Sequence, residues 1–120
     1  MNKEPIIVVA GEPNSIFLEI FFKSLKAHSY KSPLIIIASK KLLQEQMKKL
    51  GFFFKINLIN KNINKFDKLN NKKINLIDVN YKFTNCFGKI SNRSSDYIKK
   101  SFEVALKIIT QNKLSKFING

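Results

Sequence analysis

Apolar residues along this chain switch twice between continuous short runs and helical spacing. Pro5–Ala10 is an unbroken apolar run rich in β-branched residues, the pattern of a strand covered on both faces. Gly11-Glu12-Pro13 breaks the run, and Asn14 or Ser15 stands where a helix cap belongs. Phe17, Ile20, Phe21, Ser24 and Leu25 then fall on one helical face, which Ile16 and Phe22 widen. His28–Pro33 reads as a loop. Leu34–Ala38 is a second apolar strand, with Ser39 at the N-cap of the next helix. The stripe of that helix is Leu42, Leu43, Gln46, Met47 and Leu50, and Gly51 is its expected terminator.

The second half is less regular. Phe53–Leu58 predicts a third strand with partial alternation. Asn60–Lys73 is rich in Lys and Asn, with isolated Ile63, Phe66 and Leu69, and reads as an exposed or frayed loop. Ile74–Val79 is a further strand, and Asn80–Arg93 is irregular. Ser94 or Ser95 caps a long helix with Asp96 in its first turn and an apolar face of Ile98, Phe102, Ala105, Leu106 and Ile109. Gln111-Asn112-Lys113 closes it, and Lys116–Asn119 begins a last strand.

The order β-α-β-α-β-β-α-β predicts an α/β fold, a parallel or mixed sheet flanked by helices. At 120 residues the chain is one domain or part of one, spanning 1–120. The last strand stops at Gly120, where an α/β protein places a functional loop, so the expectation is a partial domain cut at that point.

Charge changes this picture less than its size suggests. The formal charge is +14, from 22 basic and 8 acidic residues, which invites a polyanion partner. Every basic residue but Arg93 is lysine, however, and arginine is the bidentate reader of phosphates and bases. Lys, Asn and Ile share A/T-rich codons, so an A/T-biased genome accounts for the composition. The pairs Lys40-Lys41, Lys48-Lys49, Lys72-Lys73 and Lys99-Lys100 read as solvated faces without the exposed aromatics on which single strands stack, and nucleic acid is not the expected partner. No apolar run is long enough for a membrane span, and the N-terminus lacks a signal-peptide pattern. Cys86 alone forms no internal disulfide, which points to a cytoplasmic protein.

Candidate chemistry is sparse. The loop Gly11-Glu12-Pro13-Asn14-Ser15 lies between strand and helix, where backbone N–H groups hold anions or cofactors, though it has neither the P-loop lysine nor G-x-G-x-x-G spacing. Glu12 and Glu19 are placed to orient that loop, and Asp78 ends a strand at a position α/β proteins use. His28, the sole histidine, reads as a solvated loop residue, and Cys86 as a small buried hydrophobe. Neither belongs to a metal-ligand cluster or a nucleophile–base pair.

The motif Gly11-Glu12-Pro13-Asn14-Ser15-Ile16-Phe17-Leu18-Glu19 resembles the opening G-[DE]-P-A-G-I-G-P-E of the 4-hydroxythreonine-4-phosphate dehydrogenases, matching at Gly11, Glu12, Pro13, Ile16 and Glu19. The Leu42–Gly51 helix, Gly88-Lys89-Ile90-Ser91, the helix around Ser95–Gln111 and Phe117–Gly120 follow the order of that family, so the resemblance covers nearly the whole chain. It implies the N-terminal part, or a truncated form, of an enzyme that oxidises 4-phosphohydroxy-threonine in pyridoxal-phosphate biosynthesis. It also implies NAD and a divalent metal, a phosphorylated small-molecule substrate, a homodimer, and a two-lobed fold like that of the isocitrate and isopropylmalate dehydrogenases, of which this chain is an incomplete lobe. Ser15, Phe17 and Leu18 depart from the family's loop, and the Pro-x-x-Lys loop and metal-binding histidines of the family have no counterpart in residues 1–120. The chain alone is therefore expected to be inactive, with no catalytic or metal residue assigned. The alternative from another class is a non-enzymatic basic α/β module that binds RNA or another polyanion. A flavodoxin-like domain that holds flavin or nucleotide shares the same order of elements.

Overall fold

The computed structural model describes residues 4–83 and 94–120. Eight elements follow one another: β1 (Ile6–Val9), α1 (Phe17–Ala27), β2 (Leu34–Ala38), α2 (Lys40–Leu50), β3 (Ile56–Leu58), β4 (Ile74–Asp78), α3 (Ser95–Asn112) and β5 (Phe117–Asn119). The strands form one sheet in the order β3-β4-β2-β1-β5, and every pair is parallel. Of the parallel and mixed alternatives, the parallel one holds.

Alternation along the central strands builds two cores. Val8, Ile36, Ala38, Ile74 and Leu76 face α1 and α2, packing against Leu18, Phe22, Leu42, Leu43 and Met47. Ile7, Val9, Ile35, Ile37 and Ile77 face α3, packing against Tyr97, Ala105 and Ile108. Both faces of β1 and β2 are thus covered, which is why these strands read as unbroken apolar runs.

Helix α2 has the buried stripe its sequence predicts: Leu42, Leu43, Gln46 and Met47. The Ser39 hydroxyl accepts the Leu42 N–H at 3.2 Å, and Gly51 ends the helix in the left-handed region at φ 77°. The other two helices are rotated from their predicted faces. In α1 the buried residues are Leu18, Phe21 and Phe22, whereas Ile16 and Ile20 are exposed. In α3 the buried line is Tyr97, Ser101, Ala105 and Ile108, and Leu106 is exposed. Both helices carry more apolar residues than one face holds, so spacing alone does not select the buried subset. Ser94 also differs: its side chain makes no cap hydrogen bond.

Strand β3 is shorter than predicted, at three residues. The connection from β3 to β4 crosses the sheet without a helix, and it is not frayed. Ile59, Phe66 and Leu69 pack against the α3-side core. Asparagines pin the segment: Asn71 Oδ1 accepts the Leu34 N–H at 2.8 Å, and Asn71 Nδ2 donates to the Ser32 carbonyl at 2.8 Å. Buried Asn75 donates to the Leu34 and Asn70 carbonyls, each at 3.0 Å. At the opposite edge, the Glu4 carboxylate accepts from the backbone N–H and hydroxyl of Ser115, bonds that hold its carboxyl below the usual carboxylate range.

Candidate functional site

With strand order β3-β4-β2-β1-β5, the chain leaves β1 toward β2 on one side and returns to β5 on the other. The carboxyl ends of β1 and β5 therefore flank the switch point where open α/β sheets place ligands. The expected loop, Gly11–Ser15, lies there.

Its polar groups are turned inward. The Glu12 carboxylate accepts the Asn14 N–H at 3.2 Å and the Asn14 amide at 3.4 Å through one oxygen. Its other oxygen accepts the Ser94 hydroxyl at 2.8 Å, which ties the loop to the start of α3. The Ser15 N–H donates to the Glu12 carbonyl at 3.1 Å, and the Ser15 hydroxyl accepts the Phe17 N–H at 3.3 Å. The N-cap position of α1 is Ile16, not Asn14 or Ser15, and it makes no side-chain cap bond; Ser15, one residue earlier, meets the first helical N–H instead. Buried Gln46 donates to the Pro13 carbonyl at 3.2 Å, fixing the loop to α2. The N–H groups of residues 14, 15 and 17, which could have met an anion, are already bonded within the loop.

The crevice is also closed sterically. Gly120 N–H donates to the Val9 carbonyl at 2.7 Å. Gly11 has φ +74°, and a Cβ there would stand 2.4 Å from the Gly120 carbonyl oxygen. A Cβ at Gly120 would stand 2.5 Å from Phe17 Cγ. The Phe17 ring, at the position where the resembled motif has glycine, therefore fills the space beside the β5 terminus.

The remaining candidates separate. Glu12 orients the loop, but Glu19 pairs with Lys23 at 3.0 Å on α1 and does not. The Asp78 carboxylate accepts the Lys40 N–H at 2.8 Å, holding the start of α2 to the end of β4. His28 is exposed in its loop, with its ring 6.1 Å from that of Tyr30. Cys86 and Gly88–Ser91 lie outside the described residues. Sequence patterning did not single out Tyr97, whose hydroxyl accepts the Ser39 N–H at 2.9 Å at the carboxyl end of β2. Burial pushes the Tyr97 phenol up to about 12. Among the described residues no three His, Cys, Asp or Glu side chains come together as metal ligands, and no helix is long and apolar enough to cross a membrane.

No protein-family model and no curated protein matches this chain. Its structure is similar to a crystal structure of a 4-hydroxythreonine-4-phosphate dehydrogenase from Burkholderia phymatum, with a TM-score of 0.77 and 19% sequence identity. The likeness covers 99% of this chain and 36% of that one. It shows a shared α/β fold that extends over little more than a third of the dehydrogenase chain.

Proposed function

We propose that this chain is the N-terminal part of a lobe of the 4-hydroxythreonine-4-phosphate dehydrogenase type, and that it contributes scaffold rather than chemistry. The observation that carries the reading is the fold shared over 99% of the chain. The Gly11-Glu12-Pro13 opening at the carboxyl end of β1 supports it from the sequence side. In this reading Gly11, Glu12, Pro13, Asn14 and Ser15 form a loop beside the cofactor or substrate, held in shape by Glu12 rather than reaching the ligand through its own amides.

Among the described residues no ligand cluster fits the metal that the resemblance implies. The loop amides of residues 14, 15 and 17 likewise have partners already, so NAD finds no cradle in them. No step of the oxidation is assigned to these 120 residues. What they supply is a covered parallel sheet and a fixed floor at its carboxyl edge. The homodimer, the phosphorylated substrate and NAD belong to the proposal for the larger enzyme.

Two measurements test it. The 120-residue chain, given 4-phosphohydroxy-threonine, NAD and a divalent metal, is expected to form no NADH; steady NADH formation would overturn the scaffold reading. The codons following Gly120 are expected to continue into a Pro-x-x-Lys loop and later histidines. A frame that continues into unrelated sequence removes the dehydrogenase assignment.

A further inference from the structure

Away from the switch point, α2 and the segment leading into β3 enclose an open groove of about 600 Å³. Phe52, Phe53 and Phe54 line it together with Met47 and Ile56, and its charged lining is Lys40, Lys48 and Lys55 with no carboxylate. The sequence suggested that the lysine pairs lack interleaved exposed aromatics; here the fold brings the two together. Phe52 and Phe54 stack with ring centroids 6.2 Å apart and planes 15° off parallel. They are rooted in the core by Phe22, at 5.6 and 6.4 Å. Phe53 is 92% exposed, the most exposed large apolar side chain among those described.

We infer that this groove binds single-stranded nucleic acid, with little sequence preference. Three physical features converge on that ligand. Phe52 and Phe54 are anchored against Phe22, with Lys26 Nζ 5.8 Å from the Phe52 ring centroid, and the exposed Phe53 ring between them in sequence presents the free face on which a base stacks. The lysines lie along α2 and just before β3, and Lys40 and Lys48 are eight residues apart on one helix, about 12 Å at 1.5 Å per residue. Phosphates spaced along a strand meet charges set along a line of that kind better than a compact anion does. Lys40 opens α2, where the Asp78 carboxylate already accepts its backbone N–H, so its side-chain charge remains available to the groove. Lysine rather than arginine at each point gives charge without bidentate base reading, hence the lack of sequence preference. The net charge of +14 draws such a ligand to the surface, and the groove is where stacking adds to attraction.

The inference does not depend on the dehydrogenase reading, and its test leaves that reading untouched. A labelled oligothymidine of about twelve nucleotides, within the length range that stacking grooves cover, is titrated with the full chain at several salt concentrations. Phe53→Ala is expected to weaken binding about tenfold, as loss of one stacked base does. Lys48→Gln with Lys55→Gln is expected to flatten the log–log salt slope by about 1.4, two phosphate contacts on a single strand. Lys99→Gln with Lys100→Gln, on α3, is expected to leave stacking affinity unchanged. Adducts of a 4-thiouridine oligomer after irradiation are expected within residues 52–55, a readout independent of variant folding. Equal affinity for duplex of the same length, equal competition by polyglutamate, an unaffected Phe53→Ala variant, or adducts confined to other segments would each overturn the inference.

Discussion

The loop after β1 and the groove beside β3 are both places where a ligand could sit, and they are built in opposite ways. The first has the favoured position in an α/β fold, but the N–H groups of residues 14, 15 and 17 are bonded within it, Glu12 ties it to Ser94 at the start of α3, and Phe17 packs beside the β5 terminus. The second has no privileged position in the sheet, yet it keeps three lysines and an exposed Phe53 turned to solvent. Position at a strand end therefore identifies where a site can be made, and unspent hydrogen-bonding or stacking capacity decides whether one is there. A closed loop of this kind suits a scaffold, because its geometry does not wait on a ligand.

The two left-handed glycines give the largest expected contrast. Gly11 and Gly51 have nearly equal φ, +74° and +77°, but a Cβ at Gly11 meets the Gly120 backbone while one at Gly51 meets nothing within 4 Å. Gly51→Ala therefore costs only the left-handed penalty, about 1–2 kcal/mol. Gly11→Ala adds a backbone clash that no rotamer relieves, for a total of about 3 kcal/mol or more. Denaturant midpoints of the two variants check the difference. Equal losses would mean that Gly120 swings freely and that the crevice is open.

Tyr97, which holds the carboxyl end of β2, gives the next expected effect. Tyr97→Phe leaves the buried Ser39 N–H without its acceptor, at a cost of about 1–3 kcal/mol. The phenol adds a pH dependence of known sign. Its folded value is raised from 10.0 to about 12, so the unfolded chain loses this proton first. The contribution is intact below pH 10 and is lost as pH rises toward 12, on the order of 2–3 kcal/mol in all. Unfolding midpoints of the wild-type chain and the Phe variant, compared from pH 9 upward, isolate that slope from the titration of the lysines, which both share. Parallel curves would show that the Tyr97 phenol is not buried in the folded chain.

How much of this could be read beforehand follows the same division. Strand β2 and the cap and terminator of α2 were legible because each rests on contiguous residues: an apolar run, Ser39 before the helix, Gly51 after it. The faces of α1 and α3 were not, because Ile16, Ile20 and Leu106 extend an apolar arc wider than the sheet covers, and only packing chooses among them. The loop Gly11–Ser15 was visible as a break after a strand, whereas its self-bonding through Glu12 to Ser94 spans 82 residues of sequence. The asparagines of the β3–β4 connection were read as compositional background, although Asn71 and Asn75 hold it to β2. The aromatic groove was missed although Lys48, Phe52, Phe53, Phe54 and Lys55 lie within eight residues, because Phe53–Leu58 reads as a strand of the sheet, and only the fold shows that β3 starts at Ile56 and leaves Phe53 exposed.

Glu12→Ala is a smaller perturbation that tests whether the loop is closed by that carboxylate. It releases the N–H of half-buried Asn14 and the hydroxyl of buried Ser94, so the expected cost is about 1–2 kcal/mol. Chemical denaturation measures it, and Glu12→Gln, which keeps an acceptor oxygen, is expected to recover part of the loss. A variant as stable as wild type would place the loop's order in Gln46 and Pro13 instead.

The smallest effect on stability is expected where the effect on binding is largest. Phe53 is 92% exposed, so Phe53→Ala removes almost no buried area, and its unfolding midpoint should lie within about 0.5 kcal/mol of wild type. Phe22→Ala, from which Phe52 and Phe54 take their support, should cost about 3–5 kcal/mol, because a fully buried ring leaves a cavity between α1 and the sheet. The pair separates the platform from the residue it presents. If Phe53→Ala unfolds the protein as Phe22→Ala does, the ring is part of the core and the groove is not an open surface. If stability holds while affinity for single strands falls, the exposed ring has a use that folding does not explain, since an unburied phenylalanine contributes little to the folded state.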